Sequence, residues 1–270
     1  GRERGFGGRQ GGGRGKTGVG ADVLVMNATA MPRSVALAPY GDMDVSVLDE
    51  KPAGRQPIKT ALINAQRMDE VIEHLKGAVA EGKQAYWVCP LVEESESVDL
   101  AAADERFKAL RARLGDGVVG LVHGQMPPEE KDAAMAAFQQ GELSVLVATT
   151  VIEVGVDVPN ATIMVIERAE SFGLSQLHQL RGRVGRGSGA STCLLMYRAP
   201  MNEGAERRLT TLRDTEDGFK IAEVDLEMRG AGDLIGTAQS GMPRVRVADM
   251  ESQSGLMKGA QGLALIHIRQ

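Results

Sequence analysis

Short apolar runs alternate with amphipathic stretches between Ile58 and Tyr197. Buried parallel strands are continuous hydrophobic runs, whereas helices repeat apolar residues every three to four positions. The apolar runs predict strands beginning at Ile58 and covering Gln84–Pro90, Val118–Val122, Ser144–Ala148, Ala161–Glu167 and Ser191–Tyr197. The amphipathic stretches predict helices over Met68–Glu81, Asp99–Leu114, Pro127–Gln140 and Ser175–Leu180. This alternation indicates an α/β fold in which helices cover both faces of a parallel sheet.

The sheet pattern predicts one domain over residues 58–203, with different patterns on either side. Residues 1–20 are half glycine and are predicted to be disordered or a damaged segment end. Residues 21–57 contain an apolar run that predicts a strand at Asp22–Met26, a polar turn, and a Pro- and Gly-rich linker over Lys51–Pro57. Residues 204–247 begin with two predicted helices, over Arg207–Thr215 and Phe219–Met228, which form a helical hairpin extension. No fold is assigned to residues 248–270.

Composition favours a protein with a buried core and argues against a membrane-spanning, disulfide-bonded or metal-binding protein. A hydrophobic content of 43% suits a buried core, and no apolar run is long enough to span a membrane. The two cysteines, Cys89 and Cys193, lie in separate apolar runs, so we expect free thiols in a reducing cytoplasm rather than a disulfide. No metal-ligand spacing is present. The net charge of the chain is −5, and residues 1–20 contribute +4 through five basic residues and one acid. The other 250 residues therefore carry a net charge of −9, which argues against a generally basic nucleic-acid-binding module.

The segment Gln176–Arg186 is the strongest candidate for phosphate chemistry. It places Arg181, Arg183 and Arg186 within six residues, separated by Gly182 and Gly185. Glycines let a backbone bend tightly, and guanidinium groups match phosphate oxygens and can stabilise charge that develops in phosphoryl transfer. The alternative is a solvated basic helix end.

Other turns offer weaker signals. Thr149 and Thr150 follow a predicted strand, where hydroxyls could bind a nucleic-acid phosphate or cap a helix. Asp157 could accept from a ribose hydroxyl or fix an arginine. Because the segment 149–157 precedes Gln176 by one strand–helix unit, we expect both turns at the same edge of the sheet. His123-Gly124 also follows a strand, although a surface turn is the simpler interpretation.

A phosphate loop in this chain is not predicted. Gly15-Lys16-Thr17 imitates the end of such a loop, but Gln10 stands where its first glycine is needed. No strand precedes it.

Together these segments resemble the C-terminal motor half of a superfamily 2 helicase. Residues 144–150 and 153–159 are similar to its motif V, Gln179–Arg186 to motif VI, and Asn27–Arg33 to motif III, with departures at Asn27 and Ala30. The segments 41–46, 50–57 and 86–96 are similar to the RecG family of ATP-dependent branched-DNA helicases. The tail from Phe219 to Gly241 is similar to an element that this family shares with the transcription-repair coupling translocase. The resemblance covers residues 21–247.

The resemblance implies a RecA-like, P-loop-NTPase-type second helicase domain and a role for each matching residue. Arg183 and Arg186 would be catalytic and reach the β- and γ-phosphates of ATP. Gln179, Gly155 and Asp157 would complete the nucleotide site. The residues expected to bind nucleic acid are Thr149, Thr150, His123 and Gly124. The residues expected to couple ATP turnover to movement on DNA are Thr29, Glu223, Arg229 and Gln239.

The resemblance also implies partners: ATP with Mg²⁺, held mainly by a first RecA-like domain, and branched or duplex DNA bound by a monomer. The P-loop lysine and the acidic Mg²⁺-binding motif of that first domain have no candidate here, so we expect the 270-residue chain alone to be inactive. Two alternatives stay open. One is a non-catalytic nucleic-acid-binding or interaction domain of helicase descent, and the other is the coupling translocase.

Overall fold

The computed structural model describes residues 56–90, 96–149 and 158–229, with the side chains of 96–99 and 229 excluded. Two compact units divide the chain. One unit is Glu50–Asp217, and the described part of the other is Gly218–Arg229. The predicted strand at Asp22–Met26 and the first five residues of the predicted linker Lys51–Pro57 lie outside the described residues.

The unit Glu50–Asp217 is built on a six-stranded parallel sheet with the order β1-β6-β5-β2-β4-β3. The strands are β1 (Ile58–Asn64), β2 (Gln84–Val88), β3 (Val119–Val122), β4 (Val145–Ala148), β5 (Ala161–Ile166) and β6 (Ser191–Tyr197). The helices are α1 (Met68–Ala80), α2 (Glu96–Leu114), α3 (Pro128–Gln139), α4 (Leu174–Arg181) and α5 (Glu203–Asp214). Short 3-10 turns cover Ala65–Arg67 and Ala169–Ser171. A parallel α/β sheet was therefore correctly predicted.

Strand β2 is the centre of the core because all five of its residues are buried. Trp87 packs in one cluster with Ile72 and Leu75 of α1 and with Leu110 of α2. Tyr86 alternates to the opposite face and meets Phe138 of α3 edge-on, with ring centroids 4.9 Å apart. The sheet is thus covered on both faces, as its continuous apolar strands require.

Helix α5 begins earlier than the sequence pattern predicted. It starts at Glu203 rather than Arg207 because the Asn202 side chain caps it, accepting a hydrogen bond from the Ala205 amide at 2.7 Å. Arg208 of this helix donates to the Glu170 carbonyl at 2.8 Å. The compact unit includes α5, whereas the sequence analysis placed it in the appended segment 204–247.

Because every strand pair is parallel, the sheet has two distinct edges. The carboxyl edge is formed by the last residues of the strands and the amino edge by their first residues. Each connecting helix runs from the carboxyl edge back to the amino edge. The direction of a helix therefore decides at which edge its flanking loops lie.

The second unit is described only through α6, Gly218–Arg229. Its Ile221, Ala222 and Asp225 are buried, whereas Phe219 is exposed. Among the residues that the structure describes, no helix combines the length and apolar character that crossing a membrane requires.

Candidate functional sites at the two edges of the sheet

The arginine segment lies at the amino edge. Helix α4 leaves the carboxyl edge after β5 and ends at Arg181, and residues 182–190 lead into β6. We call residues 182–187 the arginine loop. Gly185 has a φ of +74°, and a Cβ placed on it would lie 2.9 Å from Cγ1 of Ile58, the first residue of β1. Glycine is therefore required where the arginine loop crosses the start of β1.

Arg181 is a structural residue. Only 2% of its surface is exposed. Its guanidinium donates to the carbonyl of Leu212 in α5, lies 3.4 Å from the hydroxyl of Thr60 in β1, and contacts His178 Nδ1 at 3.1 Å. Burial lowers the pKa of this guanidinium, which Cys193 and Glu216 oppose. The side chain thus joins α4, α5 and β1.

The sequence analysis grouped Arg181 with the other two arginines as a candidate for phosphate chemistry and then assigned it no role, although its spacing carried a signal. Arg181 follows Leu174 and Leu177 by seven and four positions, which places all three on the buried face of α4. Helical periodicity alone could therefore have assigned it to the interior.

Arg183 and Arg186 differ from Arg181. Arg183 is half-buried and Arg186 is exposed. The Arg186 Nε donates to the Gly182 carbonyl at 3.4 Å. Gln179 lies half-buried on α4. The two candidate catalytic arginines therefore belong to a surface loop. Arg181, directly before this loop, holds its start against β1 and α5.

The expectation that the segment 149–157 and the arginine segment share one edge is wrong for Thr149. Thr149 directly follows β4 at the carboxyl edge, whereas the arginine loop is at the amino edge. Pro159, two residues beyond the segment, does lie at the arginine loop, since a Cβ on Gly187 would lie 2.8 Å from the Pro159 carbonyl oxygen. Gly155, Asp157 and Thr150 lie outside the described residues.

His123 and Thr149 are neighbours at the carboxyl edge. The Thr149 amide donates to the carbonyl of Val122 at 3.2 Å, so the two residues follow adjacent strands. Thr149 is completely buried. Its hydroxyl, expected to meet a phosphate, is therefore not accessible. Both this hydroxyl and His123 Nδ1 are buried, and neither has a hydrogen-bond partner among the described residues.

Next to them, Gly124 is exposed and its carbonyl accepts from Lys131 Nζ at 2.6 Å. The sequence analysis missed Lys131, which brings a positive charge to this turn. Its place three residues into α3 gave no chemical signal by itself.

The candidate coupling residues stay predictions. Glu223 is exposed on α6, and Arg229 is the last residue of that helix. Thr29 and Gln239 lie outside the described residues.

Two family profiles match complementary parts of the chain. The helicase conserved C-terminal domain matches residues 66–188, which contain both edges described above. The C-terminal part of domain 3 of the ATP-dependent DNA helicase RecG matches residues 215–268. The chain belongs to the RecG family.

Relatives in this family are similar over most of the chain. The ATP-dependent DNA helicase RecG of Escherichia coli K12 is 52% identical over 242 residues, which cover 89% of this chain and 35% of the relative. RecG of Bacillus subtilis is 49% identical, covering 85% of this chain and 34% of the relative. The chain therefore spans about a third of the length of the curated relatives it matches.

Solved structures agree with the fold. A structure of RecG bound to a three-way DNA junction is 45% identical, with a TM-score of 0.67 over 88% of this chain and 30% of that chain. The helicase MrfA bound to DNA and AMPPNP is 16% identical, with a TM-score of 0.51 over 77% of this chain and 32% of that chain. The second likeness supports the RecA-like fold alone.

Proposed function

We propose that this chain is the C-terminal motor half of an ATP-dependent helicase that remodels branched DNA. The observation that carries the proposal is the arginine loop. Arg183 and Arg186 stand on a surface loop at the amino edge, and the glycines of that loop pack against Ile58 and Pro159. Relatives 52% identical to the chain are named ATP-dependent DNA helicases, which supports an ATP phosphate as the ligand of this loop.

The residues present fit a triphosphate. Guanidinium groups bind phosphate oxygens with paired, charge-assisted hydrogen bonds. In this proposal Arg183 and Arg186 stabilise negative charge that develops on the transferring phosphoryl group, and Gln179 positions them. The proposal also assigns Gly155 and Asp157 to the nucleotide site, as the family resemblance implies. Bound ATP with Mg²⁺ would supply the phosphoryl transfer, and another RecA-like domain would provide most of the contacts to both.

The proposed DNA site lies at the carboxyl edge, opposite the arginine loop. Gly124 is exposed there beside Lys131, and His123 lies next to the start of the segment that Thr149 and Thr150 begin. Branched DNA is the expected substrate because a relative has been solved on a three-way DNA junction. The enzyme is expected to act as a cytoplasmic monomer.

Movement along DNA requires a link between the proposed nucleotide site and the proposed DNA site. We propose that Thr29, Glu223, Arg229 and Gln239 take part in this link. A residue of this kind must interact differently with the open and closed states of the nucleotide cleft. Arg229→Ala is then expected to spare hydrolysis but to reduce DNA remodelling. Equal losses in both would assign the residue to folding or DNA binding.

A hybrid enzyme tests the proposal. This chain replaces the matching 242 residues of E. coli RecG, and DNA-stimulated ATP hydrolysis and junction unwinding are measured on one preparation. The hybrid is expected to hydrolyse ATP, and the 270-residue chain alone is expected not to. Arg183→Ala and Arg186→Ala should each lower kcat by roughly 10³–10⁵ while sparing nucleotide binding.

Arg111→Ala is the matched control, because Arg111 is an exposed arginine paired with Asp116 far from the arginine loop. It should leave kcat unchanged. A loss of less than tenfold in both Arg183→Ala and Arg186→Ala would make those arginines structural. A folded hybrid that binds junction DNA but hydrolyses no ATP would favour the non-catalytic binding domain instead.

A further inference from the structure

A polar cavity of about 490 Å³ opens at the carboxyl edge, at the other end of the sheet from His123 and Thr149. It lies where β1, β5 and β6 end. Its polar and charged lining residues are Asn64, Gln66, Arg106, Glu167, Arg168 and Arg198. None of these residues was selected by the sequence analysis.

The lining is electropositive. Three arginines face one carboxylate, which gives a net charge of +2. Glu167 and Arg106 form an ion pair at 2.5 Å with side chains 16% and 23% exposed, so this pair cancels within the wall. The other charged residues of the lining are Arg168 and Arg198, and Arg198 is exposed.

The wall beside the two arginines is rigidly built. The Glu167 carboxylate accepts hydrogen bonds from Arg106 and from Trp87 Nε1. The Arg106 guanidinium also lies over the Trp87 ring at 5.7 Å from its centroid. With its oxygens engaged in this way, Glu167 is held within the wall of the cavity.

Arg168 has an unusual backbone. Its φ and ψ are both 47°, and it is the single non-glycine residue with a positive φ among the residues the structure describes. The Ser171 hydroxyl and amide both donate to the Arg168 carbonyl, which fixes this turn. The left-handed conformation is strained for any residue with a side chain, and such strain concentrates at ligand sites. The strained residue is thus one of the arginines that line the cavity.

We propose that this cavity binds a phosphate of the DNA backbone and extends the DNA track across the whole carboxyl edge. The proposal rests on the proposed function and deepens it. Four strand intervals separate β6 from β3, which is roughly 19 Å at the usual interstrand spacing. That length corresponds to roughly five or six base steps along a duplex. One duplex segment can therefore contact Arg198 and the Gly124 turn together.

The cavity is better suited to a backbone phosphate than to a free nucleotide. A nucleotide site usually offers an aromatic face to the base. Trp87 is completely buried under Arg106, and no aromatic residue lines the described part of the cavity. Arginine forks and side-chain amides remain, and these contact phosphates without reading sequence.

Binding of the 270-residue chain to a fluorescent three-way DNA junction, measured by anisotropy between about 50 and 200 mM salt, tests the proposal. Arg198→Ala should weaken binding roughly tenfold, as the loss of one charge-assisted hydrogen bond predicts. It should also lower the slope of log K against log salt by about one. Arg198→Lys should retain most of the slope. Arg111→Ala, on the amino edge, should match the unmodified chain.

Arg168→Asn separates binding from folding. Asparagine tolerates the left-handed conformation better than arginine, so the melting temperature should hold or rise while DNA affinity falls. If Arg168 had only a structural role, the replacement would lower the melting temperature and leave the DNA affinity unchanged. Competition with inorganic phosphate or ATP distinguishes a DNA phosphate from a free phosphate or a nucleotide as the ligand. If the cavity binds the DNA backbone, the labelled junction should be displaced only at high concentrations of either competitor.

Two results would overturn the proposal: an Arg198→Ala variant with unchanged affinity and salt slope, or an unmodified chain that binds no junction at the lowest salt. Displacement by micromolar ATP would assign the cavity to nucleotide instead. If hydrolysis by the hybrid enzyme depends on Arg183 and Arg186 but Arg198→Ala binds normally, only the cavity proposal fails. If Arg198 governs binding but the hybrid is inert, only the motor proposal fails.

Discussion

The three arginines between 181 and 186 should separate sharply when each is replaced by methionine. Methionine keeps an unbranched apolar stem but removes the charge and the hydrogen-bond donors. Arg181 is buried and donates to the Leu212 carbonyl, whereas Arg183 and Arg186 lie on the surface loop. We therefore expect Arg181→Met to lower stability and the other two replacements to leave it nearly unchanged.

The magnitude follows from the contacts. Loss of a hydrogen bond from a charged donor costs about 1.5–3 kcal/mol, and a carbonyl left unpaired in the interior adds to this. Removal of a buried charge returns part of the cost, because burial disfavours the charged guanidinium. The net loss should be about 2–3 kcal/mol, which lowers Tm by roughly 4–12 °C for a unit of this size. Surface replacements usually stay within about 0.5 kcal/mol.

Trp87 is a suitable probe because it is the only tryptophan and lies completely buried in the centre of the sheet. Its fluorescence during thermal and urea denaturation reports the sheet unit alone. Arg181→Lys serves as the conservative variant and should recover part of the loss. The reasoning is refuted if Arg181→Met melts with the unmodified chain, or if Arg186→Met is equally destabilising.

Two further predictions use the same chain. Gly185→Ala should cost about 2 kcal/mol, because a left-handed residue is strained and its Cβ would meet Ile58 at 2.9 Å, whereas Gly182→Ala, at a φ of −67°, should be nearly neutral. Equal denaturation midpoints for the two variants would contradict this. Burial raises the pKa of the Cys89 and Cys193 thiols, the latter to about 12. Both thiols should resist a disulfide reagent at about pH 8 until the chain unfolds, and stability should fall as pH rises above the unfolded thiol pKa of about 8.5 towards 12. One reactive thiol in the folded chain would disprove that burial.

The strands and most helices could be predicted because their signals are local. Residues in β6 and α1 form an unbroken apolar run and an amphipathic repeat, and both elements begin where predicted. Helix α5 was predicted to begin four residues too late, because the Asn202 cap that starts the helix forms only once the turn is folded.

The sites were harder to predict because they depend on direction and strand order. Thr149 and the arginine loop are separated by one strand–helix unit and lie at opposite edges, since one follows a strand and the other precedes one. The polar cavity unites Asn64, Glu167 and Arg198, which come from three strands that the order β1-β6-β5 brings together. No periodicity in the sequence encodes that order.

Helix α4 gives the two edges a common mechanical element. Arg168 lines the cavity, the turn Ala169–Ser171 follows it, and α4 then runs to the arginine loop. Its eight residues span roughly 12 Å as a single rigid rod. Arg181 fixes the far end of that rod to β1 and α5. In the proposed arrangement, a phosphate bound at Arg168 acts on the same helix that precedes Arg183 and Arg186. Helix α4 is then sufficient to couple DNA binding to nucleotide binding, provided that it has two arrangements and that the two ligands favour them differently.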